Sequence, residues 1–385
     1  MKATVWLVLF SVLSSSCTFF DQWKIQQDVD YIKRTIIDNY PYLQVHKRRD
    51  GFDWLKRVDQ LRTAERVKFD GTNNVAYLSQ FLVGLNGHVH ILDRQSFSYY
   101  VAAYSEVARK FPQYAPWVNV LTKGEVLQTY NLSPNDTNRP LRPQIAMPVS
   151  GLFSYATEKD YIYLRIPTFD LAFANVEGSK IVDFLRKHSS LKKKIIIDIR
   201  GNGGGSDSFW IDYLARPLIS TTQKLTSFIL YRGGQESLAF LKAKNIVLLK
   251  SPETVPDLRS FEDVEQYRYY SVENSEISPS TDRIQHGRII VLTDGSNFSS
   301  AETFAAFCKS TDFANTVGTS TGGDGIGFDP IVVELPYSHL VLVVPICAAL
   351  TSDGVLDYEF GTQPKVELKR GIDSFMWVKE HISEF

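Results

Sequence analysis

The sequence predicts an α/β protein, a sheet covered by helices on both faces and preceded by an N-terminal helical domain. Two patterns and their order predict it. Residues 22–85 repeat apolar side chains at three- and four-residue spacing with charges between them, the mark of helices with one buried stripe. From residue 151 onward, short and nearly continuous runs of apolar and β-branched residues alternate with helical stretches. Strands of that composition are buried on both faces, as in a mostly parallel sheet.

The elements follow in chain order. MKATVWLVLFSVLSSSC combines one lysine, an apolar run over 4–13 and small residues before Cys17, which reads as a secretory signal too short to span a membrane. A cysteine directly after small residues resembles a bacterial lipobox, although Ser14 stands where a leucine is usual and Leu13 lies one place further back. The expectation is a signal peptide over 1–17, with lipidation at Cys17 anchoring an exported protein to a membrane surface of the bacterial cell envelope, periplasmic or external. The alternative is a plain signal cleaved nearby. Residues 18–93 form the helical domain, through WKIQQDVDYIKRTIIDNYPYL, FDWLKRVDQLR and VAYLSQFLVGL, ending in the His88 segment. Residues 94–150 hold several aromatics and then the turn-rich NLSPNDTNRPLRPQ, which reads as a linker or insert. The α/β core spans 151–370. Its strands are YIYLRIPTF, KKIIIDIRG, RIIVLTDG and HLVLVVPI, with helices at IVDFLRKH and 299–310 and a more polar insertion over 217–287. Residues 371–385 are a C-terminal tail.

Composition excludes several functions. The 385 residues are 44% hydrophobic and 22% charged, ample for a large core, and length alone suggests two or three domains. A net charge of −1 gives no electrostatic case for nucleic acid or for an anionic membrane. Cys17, Cys308 and Cys347 make no disulfide framework and no C-x-x-C pair, and the seven histidines include no H-E-x-x-H. No metal and no cofactor is expected.

Three stretches carry candidate chemistry. In SNFSSAETFAAFCK, residues 296–309, a buried strand gives way to helical spacing at Phe304, Phe307 and Cys308. Ser299 and Glu302 fit the capping box S-x-x-E, in which each side chain would serve the other's amide. A serine on a strand-to-helix turn also fits an exposed nucleophile with helix amides beside it. On this stretch alone the cap is the commoner meaning. In IIIDIRGNGGGSDSF, residues 195–209, a strand ends in glycines. A dinucleotide fingerprint fails because Ser206 stands at the last glycine position, and a phosphate loop fails for want of G-K-[ST]. An oxyanion loop and a bland turn remain. In FLVGLNGHVHILD, residues 81–93, alternation would place His88 and His90 on one face of a strand, as a base or as a polar surface pair.

Taken together, the order L-x-G-H, then D-x-R-G-N-G-G-G, then S-S-A-E resembles the C-terminal processing (tail-specific) serine peptidase family. The resemblance runs from about Trp23 to about Leu368, with YIYLRIPTF and EFGTQPKVEL similar to flanking family segments. It implies a crotonase-like (ClpP-like) core, a peptide or protein substrate, and Ser299 as nucleophile, with Glu302 a structural helix residue. Two departures narrow the branch. The family lysine of T-x-G-K-G is replaced by Asp324 in STGGDG, so Ser–Lys catalysis is excluded. The tricorn-like branch uses a histidine from L-x-D-G-H, matched by His88, with Asn86 where an aspartate is common. No PDZ domain is found in 94–150.

The chemistry implied is attack by Ser299 with His88 as general base and then acid. The oxyanion would be held by the Ser300 amide and by that of Gly203 or Gly204. The orienting acid is expected near Tyr358, with Asp357 and Glu359 on either side and no choice between them. Asp198 reads as structural. One rival is the nucleophile elbow G-T-S-T-G at 318–322, with Ser320, Asp353 and His381 in α/β-hydrolase order, but GGDGIGFDP follows where a helix is required. Another is an inactive peptide- or ligand-binding lipoprotein on the same scaffold.

Overall fold

The computed structural model describes residues 23–63, 73–85, 88–135, 153–250, 255, 264–325, 327, 329–350 and 354–385. Cys17, Asn86, Asp353 and residues 136–150 of the expected linker lie outside them. The chain is mixed α/β with a helical N-terminal region, and it divides into two units. One comprises residues 1–141, 231–246 and 328–347, the other 142–230, 247–327 and 348–385. No helix among the described residues is long and apolar enough to cross a membrane.

The first unit is helical around a small sheet. Its helices include 23–39, Leu43–Asp50, Trp54–Thr63 and Arg94–Lys110. Where a linker or insert is expected, Arg94–Lys110, Ala115–Leu121 and Gly124–Thr129 are helices. Tyr130 then stacks on Phe97 at 3.8 Å and donates to the Leu92 carbonyl. HLVLVVPI does not join the core sheet. Val341–Val344 is the middle strand of an antiparallel sheet between His90–Ile91 and Ile331–Glu334. An apolar run reports burial on both faces but not which sheet buries it. The strand at His90 begins too late to include His88, so the two histidines do not share one strand face as H-V-H alternation implied.

The second unit is built on six strands: β1 (Ser154–Thr157), β2 (Tyr161–Arg165), β3 (Lys194–Asp198), β4 (Ile289–Thr293), β5 (Asn315–Gly318) and β6 (Val366–Glu367). They lie in the sheet in strict chain order from β6 to β1. β1 and β2 are antiparallel, and every other neighbouring pair is parallel. Period-2 alternation explains the buried runs. Ile195 and Ile197 join one apolar cluster, and Ile196 joins another with Ile290 and Leu292. Helix α1 (Ser179–His188) packs Ile181 and Leu185 into the first cluster and carries Arg186, Lys187 and His188 at its negative C-terminal end. Helix α2 (Ser300–Ser310) buries Ala301, Phe304, Phe307 and Cys308 in the same cluster. The expected insertion holds strands Gln223–Tyr231 and Tyr269–Ile277, and its helix Gln235–Ala243 falls in the first unit.

Candidate active site

Three adjacent parallel strands, β3, β4 and β5, end side by side, with Asp198 opposite Leu292 and Thr293 opposite Gly318. The loops that follow them build the site, as the carboxyl ends of parallel strands commonly do. Behind β3 the buried Asp198 accepts from Tyr163 at 2.8 Å, Arg165 at 3.1 Å and Arg200 at 2.7 Å. It is a structural anchor, as its strand-end position suggests. Arg200 is held in its charged form by that carboxylate and by Asp373.

Ser299 does not act as a helix cap. It precedes α2 with φ 56° and ψ −127°, and its side chain accepts no amide. This conformation lies near the first central position of a type II′ turn, which glycine dominates, and a non-glycine residue there is strained by about 1–3 kcal/mol. The Ser299 amide donates to the Gly323 carbonyl at 3.4 Å, Phe298 pairs with Gly323 in a parallel bridge, and the Ser299 carbonyl accepts from Thr303 at 3.0 Å. The capping-box reading of this stretch is therefore corrected. Glu302 turns its carboxylate away from the Ser299 amide.

Glu302 is fully buried and braces the loop after β5. It accepts from the Thr362 hydroxyl at 2.6 Å and from the Gly323 amide at 3.3 Å. Burial pushes its carboxyl above the usual range, although hydrogen bonds from Thr321, Thr362 and Gly323 pull the other way. The Thr321 hydroxyl in turn accepts from the Thr362 amide at 2.6 Å. Gly323 has φ 79°, and a Cβ there would meet the Asp357 carbonyl at 2.3 Å, so this loop needs its glycine.

The glycine loop after β3 lies directly against the serine turn. A Cβ on Gly204, at φ 103°, would sit 2.7 Å from the Phe298 carbonyl, 2.8 Å from Ser299 Cβ and 2.9 Å from the Ser300 amide nitrogen. The Gly204 amide itself donates to Asn202 Oδ1 at 2.8 Å. Its part is closeness. The Gly203 and Ser300 amides have no acceptor among the described residues, and Gly203 is exposed. The Ser300 N–H directly follows the strained serine at the positive end of an 11-residue helix, a place that suits developing negative charge.

Of the expected acids, Asp357 is fully buried and accepts from the Gly325 amide at 2.9 Å, in the loop that also holds Ser299. Glu359 is partly exposed on the same short helix, Asp357–Phe360. Asp324 is partly exposed in that loop at φ 59°. His88 is partly exposed and belongs to the first unit. The Ser320 elbow fails locally, because no helix follows it through residue 325. No group of three or more His, Cys, Asp or Glu among the described residues could hold a metal.

Sequence reasoning missed the buried Asn202 and Asn297, and the Thr321–Thr362 pair. Asn297 donates to the Ile199 and Asn202 carbonyls, and Asn202 donates to the Ile166 carbonyl at 3.1 Å. The available signal was an asparagine in each turn, R-G-N-G and D-G-S-N, where Asn side chains bind nearby backbone.

Residues 160–368, more than half of the chain, match the model for peptidase family S41. Among solved structures, mature CPAF complexed with lactacystin shares 16% identity over 94% of this chain and 97% of that one, with a TM-score of 0.55. A candidate peptidase from Parabacteroides merdae ATCC 43184 shares 16% identity over 94% and 96%, with a TM-score of 0.53. Another structure of mature CPAF shares 15% over 90% and 93%, also at 0.53. At these identities the likeness is one of fold. No curated protein sequence matches the chain.

Proposed function

The chain belongs to peptidase family S41 and is a serine-type peptidase acting on peptide or protein substrates, and from that premise we propose that Ser299 is its nucleophile and His88 its general base. The core is proposed to be crotonase-like, a reading supported by the chain-order parallel sheet. The observation that carries the nucleophile is the backbone of Ser299. A serine held at φ 56° with no capping bond serves no structural purpose that glycine would not serve better.

In the proposed reaction, Ser299 Oγ attacks the scissile carbonyl while His88 takes its proton. The Gly203 and Ser300 amides hold the oxyanion. His88 then protonates the leaving amine, and water repeats the sequence to release the acyl group. Asp357 or Glu359 orients His88. The enzyme is further proposed to be exported and anchored through Cys17.

Peptide hydrolysis by the full chain, with fluorophosphonate labelling, tests this reading. Labelling should fall on Ser299. Ser299→Ala and His88→Ala should fall to a similar low residual rate, since members of one catalytic unit are not additive. Near-normal turnover by His88→Ala would assign the base elsewhere.

A further inference from the structure

Asn297 stands two residues before Ser299 and is fully buried. Its Nδ2 donates to the carbonyls of Ile199 at 2.5 Å and Asn202 at 3.3 Å, while Oδ1 accepts from the Asp294 amide at 2.8 Å. Its main chain is engaged as well. The amide donates to the Asp294 carbonyl at 3.0 Å, and the carbonyl accepts from the Gly322 amide at 2.7 Å. One residue therefore joins the loops that follow β3, β4 and β5.

The Asn202 carbonyl and the Gly203 amide are the two ends of one peptide group. The bond is trans, so C=O and N–H point in opposite directions. A hydrogen bond drawing the carbonyl toward Asn297 therefore directs the Gly203 N–H away from it. Little else fixes that peptide. The Gly203 amide has no acceptor among the described residues, and nothing lies within 4 Å of where a Gly203 Cβ would stand. A glycine in open space lets its peptide rotate readily. The next peptide is pinned separately, through Asn202 Oδ1.

We propose that Asn297 is a positioning residue for acyl transfer: its carboxamide locks the Asn202–Gly203 peptide so that the Gly203 N–H faces the oxyanion formed when Ser299 attacks a peptide carbonyl. The proposal rests on Ser299 being the nucleophile. Only a carboxamide meets the site, because Nδ2 must serve two carbonyls and Oδ1 must receive an amide. An aspartate would turn an oxygen toward both carbonyls. A plain structural staple would weaken substrate, aldehyde and product binding alike, whereas the lock is read chiefly at the oxyanion.

The test uses full-length Asn297→Ala and Asn297→Ser with a peptide substrate, a peptide aldehyde whose adduct oxygen mimics the oxyanion, and a product peptide. Loss of one oxyanion donor should lower kcat about 100-fold. KM should stay within about 2-fold, aldehyde affinity should fall with kcat, and product affinity should hold. The proposal is overturned if a folded variant keeps kcat within about 3-fold of wild type, or loses aldehyde and product affinity together. Should neither variant fold, the ¹⁵N-labelled Gly203 amide of the wild type must shift downfield on adding the aldehyde, and an unmoved resonance overturns the lock. Ser299→Ala separates the two readings. If it retains hydrolysis the nucleophile is wrong, and if it loses hydrolysis while the Asn297 variants match wild type, only the lock is.

Discussion

Replacing Ser299 by glycine should make the protein more stable while destroying its activity. The backbone there, at φ 56° and ψ −127°, is one that L side chains avoid and glycine accepts. Relief of that strain stabilises the folded state by about 1–3 kcal/mol. Glycine also loosens the unfolded chain, which offsets about 0.4–1 kcal/mol. The net gain expected for Ser299→Gly is roughly 0–2.6 kcal/mol, centred near 1.3 kcal/mol. Ser299→Ala keeps the strain and removes a hydroxyl that caps nothing, so it should lie near wild type. A true N-cap gives another order, because alanine then costs about 0.5–2 kcal/mol and glycine only a few tenths. Urea unfolding of the three proteins decides it, provided that the m-values agree so that midpoints compare stability. Glycine above alanine and wild type is the expected ranking. Wild type above glycine, with alanine lowest, would restore the capping box and remove the main support for a nucleophile at this position.

Gly204→Ala should abolish hydrolysis in a folded protein, since its Cβ would press within 2.7 Å of the Phe298 carbonyl and displace the serine turn; steady-state rates beside circular dichroism check this. Burial raises the Glu302 carboxyl above its ordinary 4.5, so the stability tied to this group is full below that value and declines as pH rises through the raised one. Glu302→Gln, which resembles the protonated acid, should flatten that decline, and parallel curves for the two proteins in urea midpoints against pH would refute it. One of Asp357→Asn and Glu359→Gln should lower kcat strongly without unfolding the chain, and negligible effects of both would leave His88 working without an acid. Cys17→Ala should leave the protein exported but release it from membrane fractions, and unchanged retention would exclude the lipid anchor.

What the sequence made legible was local. The runs around Ile195–Ile197 and Ile289–Leu292 announced strands buried on both faces, and the spacing of Phe304, Phe307 and Cys308 announced the face of α2. The role proposed for Ser299 was within reach through its neighbours in the motif, but its conformation was not. S-x-x-E is compatible with a cap, and only the tertiary pull of Thr362 and Gly323 on Glu302 denies it. HLVLVVPI failed for a related reason: its burial is real, but its partners, His90–Ile91 and Ile331–Glu334, are set by topology and not by composition. The hold of Asn297 on the loop after β3 was likewise closed to sequence reasoning, because Asn297 lies more than ninety residues from the carbonyls it binds.

The strain at Ser299 needs an opposing source, and the fold places three in a row. A residue in a disfavoured backbone region persists only where its surroundings over-determine it. Here the loop after β3 presses Gly204 against the serine turn, and the loop after β5 receives the Ser299 amide and is itself tied to Glu302 and Thr362. Asn297 links both loops to the turn between them. None of these contacts is available within a helix cap alone, because each reaches across from a neighbouring parallel strand. The chain order of the sheet is therefore what makes the site possible. Strands β3, β4 and β5 are neighbours in the sheet, so their carboxyl-end loops meet, although residues 199–288 separate β3 from β4 in the chain. A sheet with another strand between β3 and β4 would hold the same glycines and the same serine about 5 Å further apart, one strand spacing, too far for the Gly204 backbone to touch Ser299.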